Sequence, residues 1–352
     1  MYLRGIGTAT PASRYEQSQC WEALQQSPPF EQLTLRSKAI LKKVLLGKNG
    51  IATRHLALDP LSDAFQINPD ALHERFLKHA PALATEAAER AMADAKISPG
   101  EIDAVLISTC TGYLCPGLTS YVTENLGLNK NIFALDLVGQ GCGAALPNLR
   151  TAHDLILADP NRKVLSICVE VCSAAFYLDN DPGVLISACL FGDGAGAVIL
   201  CSEPDPNRRN VEWKQFHSIT SPTERDLLRF EQKNGMLRNI LSPQVPPLAA
   251  RFAKDVLDEM FAIESDRRSQ IATWILHAGG REVLLALQDK LNLSSADICW
   301  SENILSEFGN LSSPFVLFVL EKALRENAPG GLWWMASFGA GFSSHGALLE
   351  VE

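Results

Sequence analysis

A pattern of helix, strand and turn occurs twice in this 352-residue sequence and constrains its fold more than any other feature. In the first half, helical spacing of apolar residues over 82–96 leads through a turn into the β-rich run IDAVLIST at 102–109. In the second half, a helical pattern over 248–263 leads into the run IATWIL at 271–276. Helical and strand periodicities that alternate in this way predict an α/β fold.

The correspondence between the two halves extends to particular residues. Cys110 follows the first strand and His277 follows the second. Further on, Cys142 precedes one apolar helical stretch and Asn310 precedes another, at nearly the same separation in each half. The repeat is much too long for a solenoid, so it indicates a gene duplication. A site on the axis relating the halves would bring these distant residues together.

The two halves are predicted to meet near SEPDPNRRN (202–210), where proline, asparagine and charged residues are typical of a linker. We therefore place an N-terminal half at residues 1–205 and a C-terminal half at residues 206–352. The first carries the candidate cysteine, and the second carries the candidate histidine and asparagine.

Composition narrows the classes of partner and the cellular location. The formal charge of -9 argues against nucleic acid as the main partner, because such proteins present a net basic face. The sequence shows no signal peptide and no apolar run long enough for a membrane span, so a cytoplasmic protein is expected. Its nine cysteines form no CxxC pair and no zinc-like spacing, which predicts neither a disulfide framework nor a metal site.

Three residues could together perform acyl transfer. Cys142 lies in GQGCGAAL at a helix start, where the helix dipole and free backbone N–H groups favour a thiolate. His277 follows an apolar strand, and Asn310 precedes an apolar helix. Each also has a purely structural explanation: a buried cysteine, a core histidine, or an asparagine that caps a helix. A cysteine with these partners could form a thioester, although cysteine proteases use the same trio.

Longer motifs resemble one family, the type III polyketide synthases, which include chalcone and stilbene synthases, and the likeness is to a bacterial-type member. The likeness spans nearly the whole chain in the family's order. The motifs that carry it are TCTGYLCPG, GQGCGAALPNLRTA, LFGDGAGAVIL, ILHAGGREVL, LSEFGNLSSPFVLFVLE and FGAGFSSHGALLEV.

The resemblance implies a thiolase fold, with two duplicated αβαβα halves that each hold a mixed five-stranded sheet. It implies that Cys142 is the nucleophile, while His277 and Asn310 bind the thioester carbonyl of malonyl-CoA during loss of carbon dioxide. An acyl-CoA starter and malonyl-CoA are the implied substrates, with no metal or other cofactor. The implied contacts to coenzyme A come from Lys48, Lys43, Ala278, Gly279 and Ser312.

The substrate cavity is expected to differ from that of plant members. Phenylalanines often form the neck of the cavity in the family, whereas the matching stretches here hold Trp213, Leu237 and Arg238. Small residues occupy further positions that the resemblance places in the cavity. These are Cys110, Cys115 and Cys172.

Two other functions stay open at this stage. An initiating or chain-coupling ketosynthase of the β-ketoacyl synthase III type shares the fold and the trio, but usually has HQAN where this chain has His277-Ala278-Gly279-Gly280. A non-catalytic acyl-binding protein would be expected to lose one of the three residues. The family resemblance further implies a homodimer in which TGYLCPG (111–117) reaches the partner's cavity, and an acyl carrier protein is a possible partner.

Overall fold

A computed structural model describes residues 1–263 and 265–352 of the chain. Strands and helices are numbered in chain order. The strands are β1 (Tyr2–Ala9), β2 (Arg14–Glu16), β3 (Thr53–His55), β4 (Ala104–Thr109), β5 (Phe133–Val138), β6 (Val164–Glu170), β7 (Gly194–Cys201), β8 (Val211–Thr220), β9 (Leu228–Lys233), β10 (Met236–Leu241), β11 (Ile271–Leu276), β12 (Gly331–Gly339) and β13 (Ser343–Val351). The helices are α1 (Gln17–Gln25), α2 (Pro28–Glu31), α3 (Leu35–Leu46), α4 (Pro69–Ala95), α5 (Leu118–Leu126), α6 (Ala145–Ala158), α7 (Pro182–Leu190), α8 (Val245–Met260), α9 (Arg281–Leu291), α10 (Ser295–Phe308) and α11 (Phe315–Arg325).

The large sheet is continuous across both halves of the chain. Among the described residues it has nine strands in the order β11-β12-β13-β8-β1-β7-β6-β4-β5. The first half contributes five strands, as expected, but the second contributes four. The expectation of a five-stranded sheet in each half is therefore correct for the first half and wrong for the second. The halves join where Tyr2 of β1 pairs with Glu212 of β8, and the Trp213 N–H donates to the Met1 carbonyl at 2.8 Å.

Two helices lie between the strands of the two halves. Helix α6 packs against β4 and β6 on one side and against β12 and β13 on the other, and α11 contacts β1 and β7 as well as β11 and β12. Eight of the eleven residues of α11 are buried, as expected for a helix enclosed on every side. Helices α4 and α5 cover the first half's strands, and α8 packs on those of the second. This layering places the starts of α6 and α11 near each other at the centre.

Helix α4 is much longer than the predicted 82–96, because it begins at Pro69. The Asn68 side chain caps it by accepting from the Ala71 N–H at 2.9 Å, and Pro69 occupies the first turn, where its missing N–H costs little. Pro81 lies inside the helix, yet the buried face runs unbroken past it. Helix α8 ends at Met260, three residues before its predicted end. Within the described ranges, no helix has both the length and the apolar character needed to cross a membrane.

Candidate active site

Cys142 lies in a tight turn, Gly141–Gly143, that connects β5 to α6. Gly141 has φ +59, and a Cβ there would lie 2.9 Å from the backbone nitrogen of Ala340. A Cβ on Gly143 would lie 3.0 Å from the nitrogen of Gly339. The flanking glycines therefore let the turn pack directly against the end of β12, and this close approach fixes the position of the cysteine between the two halves.

Asn310 connects the second half to Cys142 through Ser312. The Asn310 Oδ1 accepts from the Ser312 N–H at 2.8 Å, and its amide nitrogen donates to the Gly279 carbonyl at 3.2 Å. Ser312 has φ +60, a conformation that few residues other than glycine adopt, and its hydroxyl lies 3.1 Å from the Cys142 sulfur. Pro314, not Asn310, occupies the capping position of α11, so the helix-cap explanation for Asn310 is wrong.

His277 stands at the end of β11, as its sequence position predicted. Its backbone N–H donates to the Ala336 carbonyl at 2.9 Å. The ring packs edge-on against Phe315 and Phe338, at centroid distances of 5.3 and 5.5 Å. Only 2% of the residue is exposed, and no partner among the described residues reaches its Nδ1 atom. Phe338 also adjoins the turn that holds Cys142, so the residues around all three candidates meet in one place.

The charge state of this group differs from the expected thiolate. Burial raises the pKa of the Cys142 thiol to about 12, and the hydrogen bond from Ser312 opposes that rise. Burial lowers the pKa of His277 to about 3. In the part of the chain that the structure describes, no hydrogen bond joins the His277 ring to Cys142. The Cys142 thiol and the His277 imidazole are therefore both neutral at neutral pH, and the dipole at the start of α6 does not outweigh desolvation.

Alkylation rates should report this charge state directly. If the thiol has so high a pKa, its reaction with iodoacetamide should rise about tenfold per pH unit from about pH 7 to about pH 10, since the thiolate is the reactive form. Peptide mass spectrometry would follow Cys142 alone, with Cys142→Ala supplying the background from the other thiols. A rate that is already high and constant near neutral pH would instead indicate a thiolate–imidazolium pair.

A buried carboxylate behind the cysteine was not predicted. Glu170 ends β6 with 0% exposure, and burial raises its pKa. It accepts hydrogen bonds from hydroxyl, thiol and backbone groups, and its Oε1 lies 3.4 Å from the Ser312 hydroxyl. Its other partners are Thr109, Cys110, Thr111 and Ser313. The signal was present in the sequence, as the one acidic residue in the apolar run KVLSICVEV.

Two cavities meet at this centre, and we call them the channel and the chamber. The channel is narrow and mostly apolar, and its lining includes Cys142, Ser312 and Cys172. The chamber is wider, and its lining includes Cys110 and Leu237. Both are lined by Thr111 and Phe230. Cys172, Cys110 and Leu237 therefore lie on cavity walls near the trio.

Trp213 and Arg238, which were also predicted to line the cavity, lie elsewhere. Trp213 is 1% exposed in the core on β8, and it lines neither the channel nor the chamber. Alternation along β10 directs Arg238 away from the face that carries Leu237 and Asn239. The Arg238 guanidinium instead forms ion pairs, at 2.8 Å with Asp179, 2.6 Å with Glu231 and 3.3 Å with Asp181. The assignments of Trp213 and Arg238 to the cavity wall are not supported. Cys115 is exposed on the loop after β4 that was predicted to cross the dimer, so its assignment stays a prediction.

The residues predicted to contact coenzyme A lie on the side of the trio where β11 ends. Lys43 and Lys48 are exposed at the end of α3 and in the loop that follows. That loop approaches α9, because a Cβ on Gly50 would lie 3.3 Å from the Arg281 side chain. Ala278 and Gly279 follow His277 directly, and the Gly279 carbonyl holds the Asn310 amide. The basic loop is thus near the start of α9, a few residues from the candidate histidine.

Comparison with known proteins covers nearly the whole chain. Residues 8–226 match the family described as FAE1/type III polyketide synthase-like protein, and residues 229–349 match the C-terminal domain of chalcone and stilbene synthases. A 3,5-dihydroxyphenylacetyl-CoA synthase from Streptomyces toyocaensis is 28% identical over 98% of this chain and 89% of its own length. A 1,3,6,8-tetrahydroxynaphthalene synthase from Streptomyces peucetius is 29% identical over 99% of this chain and 92% of its own.

A solved structure confirms the predicted fold. The crystal structure of PKS-I from the brown alga Ectocarpus siliculosus superimposes with a TM-score of 0.91, covering 99% of this chain and 97% of its own, at 24% identity. The thiolase fold and these matches define an acyltransferase that forms carbon–carbon bonds from coenzyme A thioesters. The chain belongs to the type III polyketide synthase family.

Proposed function

We propose that Cys142 carries an acyl starter and that His277 and Asn310 direct its extension by malonyl-CoA through decarboxylative Claisen condensation. The observation that carries the proposal is the chain of contacts from Cys142 to Ser312 at 3.1 Å, from Ser312 to Asn310 at 2.8 Å, and from Asn310 to Gly279 at 3.2 Å, beside His277. These contacts link the starts of α6 and α11 to the end of β11.

Loading begins from a neutral thiol. As the starter thioester enters, the Cys142 S–H gives its proton to the neutral His277 ring while the sulfur attacks the carbonyl carbon. The bond to the coenzyme A sulfur then breaks, and that thiolate takes the proton back from His277. The imidazole thereby acts as a general base and then as a general acid.

Extension uses the same residues as hydrogen-bond donors. The amide of Asn310 has a second N–H besides the one that bonds Gly279, and this N–H would donate to the thioester oxygen of malonyl-CoA. Loss of carbon dioxide leaves its electron pair on an enolate, whose charge develops on that oxygen. The enolate carbon attacks the acyl carbonyl on Cys142, the bond from that carbonyl to the Cys142 sulfur breaks, and the released thiolate takes a proton from water. These steps balance with coenzyme A thioesters and one proton from solvent.

Coenzyme A is proposed to bind where Lys48 and Lys43 lie beside the start of α9. Two features favour its phosphates there: the exposed lysines and the positive end of the helix dipole, which begins at Arg281. Ala278, Gly279 and Ser312 would border the thioester end. We propose delivery by coenzyme A in the cytoplasm, with a carrier protein as the alternative source of the acyl chain.

Product analysis tests the reaction. The purified enzyme, given malonyl-CoA and a panel of starter-CoA esters, should release products whose masses equal the starter acyl group plus a whole number of two-carbon units. If coenzyme A is the natural carrier, malonyl groups delivered on an acyl carrier protein should give slower product formation than malonyl-CoA. Release of coenzyme A with no carbon–carbon bond formed would contradict the proposal.

We further propose that the enzyme is a homodimer built on β5. In the described parts of the chain this strand is at the edge of the large sheet, and no other strand pairs with its outer side. Phe133, Leu135 and Val138 are 44%, 37% and 53% exposed, and Tyr113 on the nearby loop is 69% exposed. An edge strand that exposes this much apolar surface suits a second copy of the chain. The 111–117 loop lies on the same side and would approach the partner's chamber.

A charge placed on β5 should therefore weaken the dimer. Leu135→Glu would bury a carboxylate without a partner at the interface of each subunit, and such a charge typically costs about 3–5 kcal/mol. Light scattering after size-exclusion chromatography should find the wild type dimeric and this variant largely monomeric. Leu157→Glu is the matched control, because Leu157 is 67% exposed on α6, away from β5. An active monomeric wild type would exclude the dimer.

A further inference from the structure

We infer that the channel binds an unbranched aliphatic acyl chain, so that the preferred starter is a medium- or long-chain fatty acyl thioester. This inference rests on the proposed role of Cys142 and specifies the class of starter that it carries. It comes from the residues that line the channel and from the way the channel is separated from the chamber.

The channel runs from the candidate nucleophile into a cluster of leucines. At one end its wall holds Cys142, Ser312 and Thr111. Most of the remaining lining comes from helices and loops of the first half that take no part in the proposed chemistry, and Phe230 and Asn239 come from the second half. Its apolar residues include Leu24 of α1, Leu41 and Leu45 of α3, Leu56, Leu58, Leu61 and Phe65 of the loop after β3, and Val184 and Ala188 of α7.

Most of this wall offers nothing to hydrogen-bond. Leu24, Leu41 and Leu45 belong to a hydrophobic cluster that α1, α3 and α7 share, and each is at most 5% exposed. The Arg54 side chain is also at the wall, but it donates to the Gln17 side chain and to the carbonyls of Ala188 and Phe191. The Ser187 hydroxyl, on α7 in the same wall, has no partner among the described residues. Apart from it, methylene groups could replace water along this wall at little cost in lost hydrogen bonds.

The two cavities would hold different parts of the acyl chain: the channel holds the alkyl tail of the starter, and the chamber holds the growing polyketide. The chamber opens beside Cys110 and is the wider space, which suits a polyketide that must fold back and cyclise. The channel is narrower, and leucines and other apolar side chains make up most of its far part. A linear alkyl chain fits a narrow passage between leucine side chains, whereas a flat aromatic starter would have to displace them. The starter's tail thus lies in the channel while extension proceeds into the chamber.

Loading rates should accordingly depend on chain length. Each methylene buried in an apolar site should raise kcat/KM for loading about fourfold, until the chain fills the channel. The measurement is the rate of adduct formation on Cys142 by intact mass, with butyryl-, octanoyl-, dodecanoyl-, palmitoyl- and cinnamoyl-CoA. We expect the rate to climb through the aliphatic series and cinnamoyl-CoA to load more slowly than octanoyl-CoA.

Substitutions in α3 test whether the dependence of loading rate on chain length arises in the channel. Leu41→Trp should obstruct the channel and lower the dodecanoyl-to-butyryl rate ratio by about tenfold or more, the size expected when a few methylenes lose their site. Leu41→Ala should move the optimum to longer chains. Leu46→Trp is the matched control, since Leu46 is on the same helix but 49% exposed, and its ratio should equal that of the wild type. A thermal melt of each variant separates obstruction from misfolding.

The outcomes distinguish this inference from the function on which it rests. If butyryl-CoA loads Cys142 but chain length has no effect and Leu41→Trp leaves the ratio unchanged, the channel assignment is wrong while the proposed function stands. Faster loading of cinnamoyl-CoA than of any aliphatic ester would also overturn it. If no thioester loads Cys142 at all, the proposed function itself fails.

Discussion

Replacing Cys142 with alanine should abolish acyl loading and lower polyketide formation by a factor on the order of 10⁶, as loss of a nucleophile does in other covalent catalysts. The thiol is the group that bonds the acyl chain, and alanine offers no atom in its place. Intact-mass measurement after addition of an acyl-CoA should show one adduct on the wild type and none on Cys142→Ala. The fold should survive, because the substitution removes one sulfur from a partly exposed side chain that faces the channel.

Three other cysteines provide the controls for this result. Cys110 and Cys172 line the chamber and the channel, and Cys115 is exposed. Burial raises the pKa of the Cys110 and Cys172 thiols well above the usual range, and it also raises that of Cys142, so these pKa values do not single out the nucleophile and the adduct must be mapped. An adduct that persists in Cys142→Ala and maps to one of these three would overturn the assignment of Cys142.

Changing Asn310 should separate decarboxylation from loading. The proposed role of its amide is to stabilise the enolate oxygen, and loss of one such donor typically lowers a rate by about 10²–10³. Asn310→Ala should therefore load starters on Cys142 but decarboxylate malonyl-CoA slowly. Alanine also removes the Oδ1 acceptor that holds the Ser312 N–H. Asn310→Asp keeps that acceptor while losing the amide donor, so it should show the same defect if the donor is what matters.

His277 should behave differently, because it is proposed to act in both half-reactions. His277→Ala should slow loading, since no base remains to take the thiol proton, and should also slow decarboxylation. Single-turnover loading and carbon dioxide release, measured in each variant, give the two rates. If both Asn310 variants decarboxylate malonyl-CoA at the wild-type rate, Asn310 is not needed for that step. Its role would then be limited to the hydrogen bond that it accepts from the Ser312 N–H.

The repeat in the sequence predicted the meeting of the trio, but not its charge state. Position at a strand end or helix start depends on local pattern, so the placement of Cys142, His277 and Asn310 could be foreseen. The pKa values depend on burial by residues such as Phe315 and Phe338, which approach His277 only in the folded chain. A helix start predicts a thiolate, and enclosure by apolar neighbours removes that preference.

The cavity walls were the hardest feature to predict from sequence. Alternation along a strand decides which residues face a cavity, and a misjudged register moves a residue to the wrong side. This explains why Arg238 forms ion pairs outside the channel while its neighbours Leu237 and Asn239 line the cavities. The channel is lined by segments far apart in sequence, including α1, α3 and α7. A local sequence pattern does not indicate that these segments enclose one cavity.

The central position of β1 affects the order in which the chain can fold during synthesis. Strand β1 ends at Ala9, but its sheet neighbours are β7 at Gly194–Cys201 and β8 at Val211–Thr220. A ribosome that adds about 5–20 residues per second needs roughly ten to forty seconds to supply those neighbours. Until then β1 has unpaired backbone groups on both edges, so a nascent chain halted before residue 194 should be open to proteolysis and to binding by chaperones.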